Sequence, residues 1–172
     1  MKTEETLGIY KIFPERSHYT AHIKINVPLI SLQRIILDML YGLNGRKVED
    51  DLPRLIGPGV ETILEFGVAD GLVFNYLDAD ILNALLRKVG ERGLRVLDLL
   101  CIVRYYRVRG DKRIALRFDF FFLRFLADNN ELKIRAFHER GLQRISAEDL
   151  IMFLVKRMRL KLAKEENNMR LF

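Results

Sequence analysis

Residues 101–127 read CIVRYYRVRGDKRIALRFDFFFLRFLA, and their alternation decides the fold class. From Cys101 to Arg109 apolar and polar side chains alternate with a period of two, the mark of a strand with one dry face. Gly110-Asp111 is a two-residue connection with glycine first, which suits a tight β-hairpin. Pairing across it sets Val103 against Phe118, Tyr105 against Leu116 and Arg107 against Ile114 on one face. On the other face it sets Arg104 against Arg117, Tyr106 against Ala115 and Val108 against Arg113, with Ile102 and Asp119 projecting there too. Beyond Phe120 the apolar residues Phe121, Phe122, Leu123 and Phe125 occupy both parities, as in a central strand covered on both faces or a bulged one. Asp128 to Glu131 then turns into a third strand, Leu132 to His138.

Upstream, Tyr19, Ala21, Ile23, Ile25 and Val27 alternate with polar residues, and Leu7 to Phe13 provides a second extended arm across Pro14 to Ser17. These two arms predict an N-terminal hairpin. Between the two β regions the pattern turns helical. Ser31 can cap a helix bearing Leu32, Ile35, Ile36, Met39, Leu40 and Leu43, ended by Asn44-Gly45. A short helix over Val48, Leu52, Leu55 and Ile56 follows, its first turn holding Glu49, Asp50 and Asp51 as the helix dipole favours. After Gly57-Pro58-Gly59 the residues Ile63, Leu64 and Phe66 predict a third helix from Val60 to Ala69. Leu72 to Tyr76 reads as extended, and Asp78 or Asp80 opens a fourth helix through Leu86. At the far end Ser146, with Asp149 three residues on, forms a capping-box signature for a long C-terminal helix.

The expected architecture is therefore a single α+β domain over residues 1–172. Its antiparallel sheet has about five strands, the N-terminal hairpin plus a C-terminal three-stranded meander, with a helical insertion or subdomain over 30–98 and a C-terminal helix. Residues 32–76 resemble a winged helix-turn-helix domain: an apolar helix, Arg46 to Leu52, a glycine break, a third helix, then Asp70-Gly71-Leu72-Val73-Phe74 leading into a wing-like strand. Two departures stand out. The third helix is about one turn short, and its polar positions are Glu61, Thr62 and Glu65. An acidic recognition helix is repelled by a phosphate polyanion, so the resemblance implies packing or protein contacts for this unit, not base reading.

Charge points elsewhere. The chain of 172 residues carries a net +6, but residues 1–100 hold 12 Lys+Arg against 14 Asp+Glu, and residues 101–172 hold 17 against 9. The basic character belongs to the C-terminal part, which suits an acidic partner. Arg104, Tyr106, Arg113 and Arg117 share one face of the hairpin, with Lys133 and Arg135 on the next strand and Lys156, Arg157 and Arg159 on the C-terminal helix. Arginines interleaved with an aromatic ring on a sheet can clamp phosphates and stack bases. These nine residues define the expected nucleic-acid contact. The alternative is a protein–protein adaptor or accessory subunit with an acidic partner, in which the basic face meets carboxylates; the element order resembles longin-type adaptor folds. A homo-oligomer is open on either reading. The scarcity of Ser, Thr, Gln and Cys beside abundant Glu, Lys and Arg fits a thermophile's protein.

Catalytic chemistry finds little footing. His18 and His22 lie about 13 Å apart in a strand, too far for one metal ion. Cys101 sits among Leu99, Leu100, Ile102 and Val103, as a buried small hydrophobe does. Gly57-Pro58-Gly59 lacks the Lys-Ser or Lys-Thr of a phosphate-binding loop. No catalytic residue, metal site or cofactor is expected, and only a carboxylate brought to His138 would revive an enzymatic reading. With one cysteine, no apolar leader and no long uncharged apolar run, the chain is expected to be cytoplasmic and not membrane-inserted.

Overall fold

A computed structural model describes residues 6–48, 52 and 56–170, with side chains through residue 165. Among these residues the chain is α+β, with strands β1 (Tyr19–Lys24), β2 (Arg46–Val48), β3 (Val60–Asp70), β4 (Val73–Tyr76), β5 (Val96–Arg109), β6 (Lys112–Ala115), β7 (Asp119–Asp128) and β8 (Glu131–Arg140). The helices are α1 (Leu29–Leu43), α2 (Ala79–Glu91) and α3 (Ala147–Arg170). All strands belong to one antiparallel sheet in the order β1-β8-β7-β5-β3-β2, with β4 on β3 and β6 on β5. The expected five strands are thus eight. No helix among the described residues is long and apolar enough to cross a membrane.

The largest correction concerns residues 60–70. They form a strand, not the third helix of a winged helix-turn-helix. Ile63, Leu64 and Phe66 fit a helical face, but Leu64, Phe66 and Val68 fit a strand face equally, and β-branched Val60, Thr62, Ile63 and Val68 favour the latter. Thr62, Leu64, Phe66 and Val68 are buried, while Glu61, Ile63 and Glu65 turn to the other side. Val48 likewise ends β2 and does not open a helix. Glu49 to Asp51 and Leu55 lie outside the described residues. Residues 30–98 therefore supply three strands of the common sheet as well as two helices, so the expected helical insertion is in large part sheet.

The N-terminal hairpin is also corrected. β1 pairs with β8, as Tyr19 with Ala136 and Ile23 with Leu132, and not with the segment before it. Residues 7–13 instead make isolated bridges, Leu7 to Asp70 and Tyr10 to Gly71. Gly8 stands at φ +89 between two strands, donating to the Ala69 carbonyl at 2.7 Å and accepting from Asp98 N at 2.7 Å. That left-handed conformation turns the chain out of the sheet and lays residues 8–17 across its open face. There Tyr10 and Phe13 pack on Phe122, and Tyr10 on Phe74. Asp98 anchors this strap by accepting from Tyr10 N at 2.8 Å and from both Nε and Nη2 of Arg124.

α1 and α3 pack on the opposite face of the sheet, and α2 packs on α1. α1 starts at Leu29 with Pro28 as its cap, so Ser31 lies inside the helix; Asn44 ends it, donating to Leu40 and Tyr41 carbonyls. Asp78 caps α2 by accepting from Ile81 N, and the capping box of α3 closes with Asp149 N to Ser146 Oγ at 3.0 Å and Ser146 N to Asp149 Oδ2 at 3.1 Å. The core between helices and sheet holds Leu37, Leu40, Leu64, Phe66, Leu99, Cys101, Phe121, Leu123, Ile134 and Leu154. Cys101 is fully buried, which pushes its thiol far above the ordinary range and leaves no thiolate to react. Native protein at pH 8 should therefore give no colour with a disulfide thiol reagent, and one thiol equivalent per chain once guanidinium unfolds it. Reaction of the native protein within minutes would show that the core opens.

Candidate nucleic-acid interface

The β5–β6 hairpin continues the central strand into an exposed end. Tyr105 is fully buried, whereas Arg107, Arg109 and all four residues of β6 are exposed. Val103, Tyr105, Tyr106 and Val108 suit a strand on propensity. The turn is closed by Gly110 at φ +60, a conformation glycine adopts without penalty. Close to the turn the register is as expected, with Tyr106 opposite Ala115, Arg107 opposite Ile114 and Val108 opposite Arg113. Farther along it slips by one residue. β6 ends at Ala115, Leu116 N donates to the Tyr105 carbonyl at 2.9 Å, and Val103 pairs with Asp119 in place of Phe118.

A slip of one residue turns every later side chain to the other face. Asp119, expected on the solvent side, points into the core and is fully buried. It accepts from Tyr105 Oη at 2.6 Å, Gln143 N at 2.7 Å and Arg144 N at 2.8 Å, and pairs with His138 Nε2 at 2.9 Å. Burial first, then the hydrogen bond to Asp119, push the Tyr105 phenol well above its usual range, so it remains a donor. The carboxylate that would have revived an enzymatic reading of His138 is thus present. Its lone pairs, however, are engaged by backbone and side-chain donors that tie β5, β8 and the loop before α3 together. This carboxylate organises the fold.

Two faces of the hairpin differ in charge state. On the open face Arg104 Nε approaches Glu65 Oε1 at 2.7 Å and Arg113 Nε approaches Glu61 Oε2 at 3.0 Å, while Lys47 Nζ reaches Glu61 at 3.5 Å. The Arg104 contact is not aligned along its N–H, so it is a charge contact and not a hydrogen bond. Hydrogen bonding with Tyr106, then the Glu65 charge, raise the Arg104 pKa against the effect of burial. Such half-exposed pairs stabilise by about 0.2–1 kcal/mol each. The Arg113 guanidinium covers the Tyr106 ring at 4.4 Å, Phe118 meets that ring edge-on at 5.7 Å, and Arg104 lies over Phe118 at 5.2 Å. On the helix-side face Arg107, Arg109 and Lys112 are exposed and form no ion pair with a described residue; the same holds for exposed Arg117. Between Arg104 and Arg117 the chain places six cations and one acid, Asp111.

Of the nine expected contact residues, Arg104, Tyr106 and Arg113 come together here on the open face. Arg117, expected beside them, is exposed between β6 and β7 within the register slip and forms no hydrogen bond or ion pair with them. Lys133 lies on β8, half-buried. Arg135 is engaged inside the fold, with Nε donating to Ser17 Oγ at 2.7 Å, Nη2 to the Pro14 and Glu15 carbonyls, and its guanidinium 5.2 Å from the Phe13 ring. Lys156, Arg157 and Arg159 belong to α3, on the other side of the sheet from Arg104 and Tyr106. Lys156 and Arg159 rim an apolar groove of about 500 Å³ floored by Leu52, Phe153 and Val155, beside exposed Met152 and Leu160. Arg107, Arg109 and Lys112 lie outside the nine expected contacts and share the strand parity of Val103 and Tyr105. The signal that marks them is in the sequence: four of the six residues 107–112 are charged, too many for a covered strand end. His18 and His22 have separate partners, a stack on Phe137 and Glu131 respectively. No protein-family model, curated protein or solved structure matches the chain.

Proposed function

We propose that this protein binds nucleic acid through the β5–β6 hairpin, and that the activity is binding and not catalysis. The observation that carries the reading is the set of exposed cations that no described acid neutralises: Arg107, Arg109 and Lys112 on a hairpin anchored in the central strand, and Arg117 just past it. Cations of this kind meet phosphates and release condensed counterions. Four such contacts give a log–log salt slope of about −3.6, so affinity should fall about 150-fold between 50 and 200 mM salt. Arg109 and Lys112 face each other at the tip. Reversing both (Arg109→Glu with Lys112→Glu) should weaken binding at 50 mM salt by about 30-fold or more and reduce the slope by about two. Arg159→Glu, on α3, should change it by less than about threefold. Salt-insensitive binding, or equal losses from the two sets, would refute the assignment.

A second reading, an accessory subunit of a larger assembly, is favoured by the α3 groove with Met152 and Leu160 exposed beside it. It would gain if the intact hairpin bound no nucleic acid at low salt while Met152→Glu abolished recovery of a stoichiometric partner from the native host.

A further inference from the structure

We infer that the occupant of the hairpin is a nucleic-acid duplex, held by its phosphates without reading of bases; this rests on the proposed nucleic-acid binding. Two observations on the hairpin separate a duplex from a single strand. The first is the state of the aromatic rings. Single-strand binders hold successive bases on open aromatic faces, each stack contributing about 1–3 kcal/mol. Here Tyr105 is fully buried, Tyr106 is covered by Arg113 at 4.4 Å, and Phe118 carries Arg104 at 5.2 Å. On the hairpin itself the exposed apolar residue is Ile114, which has no π face; the exposed Tyr76 ring belongs to β4, on β3. The hairpin therefore has cations to offer and no platform for a base.

The second observation is how the cations are distributed. Arg107, Arg109 and Lys112 lie on the helix-side face, and Arg104 and Arg113 lie on the open face, with the turn between. A single strand follows one track of charge. A duplex presents two phosphate strands flanking a groove, one charge per about 1.7 Å of axis, and rewards cations displayed on both sides of a thin edge. On the open face Glu61 and Glu65 already partner Arg113 and Arg104, so the helix-side cations supply most of the attraction. The open-face pair sets the seat of the second strand. Arginines committed to carboxylates and rings are poorly placed to make the bidentate base-edge contacts that specify sequence.

The test is fluorescence anisotropy at 50 mM salt with labelled 20-mers: an A·T-rich and a G·C-rich DNA duplex, the matching double-stranded RNA, and each DNA strand alone. A duplex should bind about 10-fold or more tightly than either single strand, and the two DNA sequences should agree within about threefold. The RNA arm identifies which duplex is preferred, and tight binding of either duplex type over single strands supports the inference. Tyr106→Ala should leave the ratio of duplex to single-strand affinity within about twofold, whereas loss of a stacking platform would lower single-strand affinity selectively, by about 5-fold or more. Single strands bound as tightly as duplexes, a selective loss of single-strand binding in the Tyr106 variant, or a strong preference between the two sequences would overturn it. Absence of binding to all of these probes would overturn the underlying nucleic-acid reading instead. Circular dichroism melts of each variant confirm that folding is intact.

Discussion

Asp119→Ala should lower the unfolding free energy by about 3–5 kcal/mol, the range found when one partner of a buried charged network is removed. For a chain of this size that corresponds to a fall in Tm of about 10 °C. The carboxylate is fully buried and serves Tyr105 Oη, His138 Nε2, Gln143 N and Arg144 N. Alanine strands four donors where water does not replace the acceptor, and an unsatisfied buried donor costs about 1–3 kcal/mol. Asp119→Asn keeps the shape but sets its NH2 group against Gln143 N–H in one orientation and Arg144 N–H in the other. Its loss should be intermediate, about 2 kcal/mol. Urea titrations of the three proteins decide the matter, and a loss below about 1 kcal/mol for the alanine variant would show that the network is not closed.

Gly141→Ala should be comparably damaging by a different route. Gly141 has φ +113, and a Cβ there would lie 2.3 Å from Asp119 Oδ1 and 2.4 Å from the Phe118 carbonyl oxygen. Neither neighbour can yield, since one belongs to the buried network and the other is main chain. Backbone strain and overlap together should cost about 3 kcal/mol or more. The double variant gives a sharper test. Alanine at 119 removes the carboxylate that Cβ would strike, but not the Phe118 carbonyl. The two losses should therefore add to less than their sum, with a coupling of about 1 kcal/mol in a double-mutant cycle. Strict additivity would mean that Gly141 and Asp119 do not meet.

Both sites follow from a register change that local pattern alone could not reveal. Gly110 sets the pairing near the turn, and the pairs from Tyr106–Ala115 to Val108–Arg113 are legible in the sequence for that reason. The break at Leu116 to Phe118 is not, because Leu-Arg-Phe continues the alternation that it interrupts. The mixed parity after Phe120 hinted at it, and both causes apply: β7 is central, and its pairing with β8 shifts between Phe120 and Phe121. Residues 60–70 were illegible for another reason. Their apolar spacing fits both periods, and only the presence of β5 beside them selects the strand. For the interface, Arg104, Tyr106 and Arg113 could be read from strand parity. Arg135 could not be discounted, because Pro14, Glu15 and Ser17 reach it from about 120 residues away in sequence.

β5 runs unbroken for 14 residues, roughly 46 Å at ~3.3 Å per residue. β7 flanks it from Val96 to Val103 and β3 from Cys101 to Arg107, and its last residues carry the hairpin, so the charged tip is a cantilever and not a tether. A tether must be ordered on contact, and that ordering subtracts from affinity. A cantilever has met this cost during folding. Association through it should leave the backbone amide exchange of Val103 and Tyr105 unchanged while slowing exchange at Gly110 and Asp111, a mechanical signature of a surface held ready before its partner arrives.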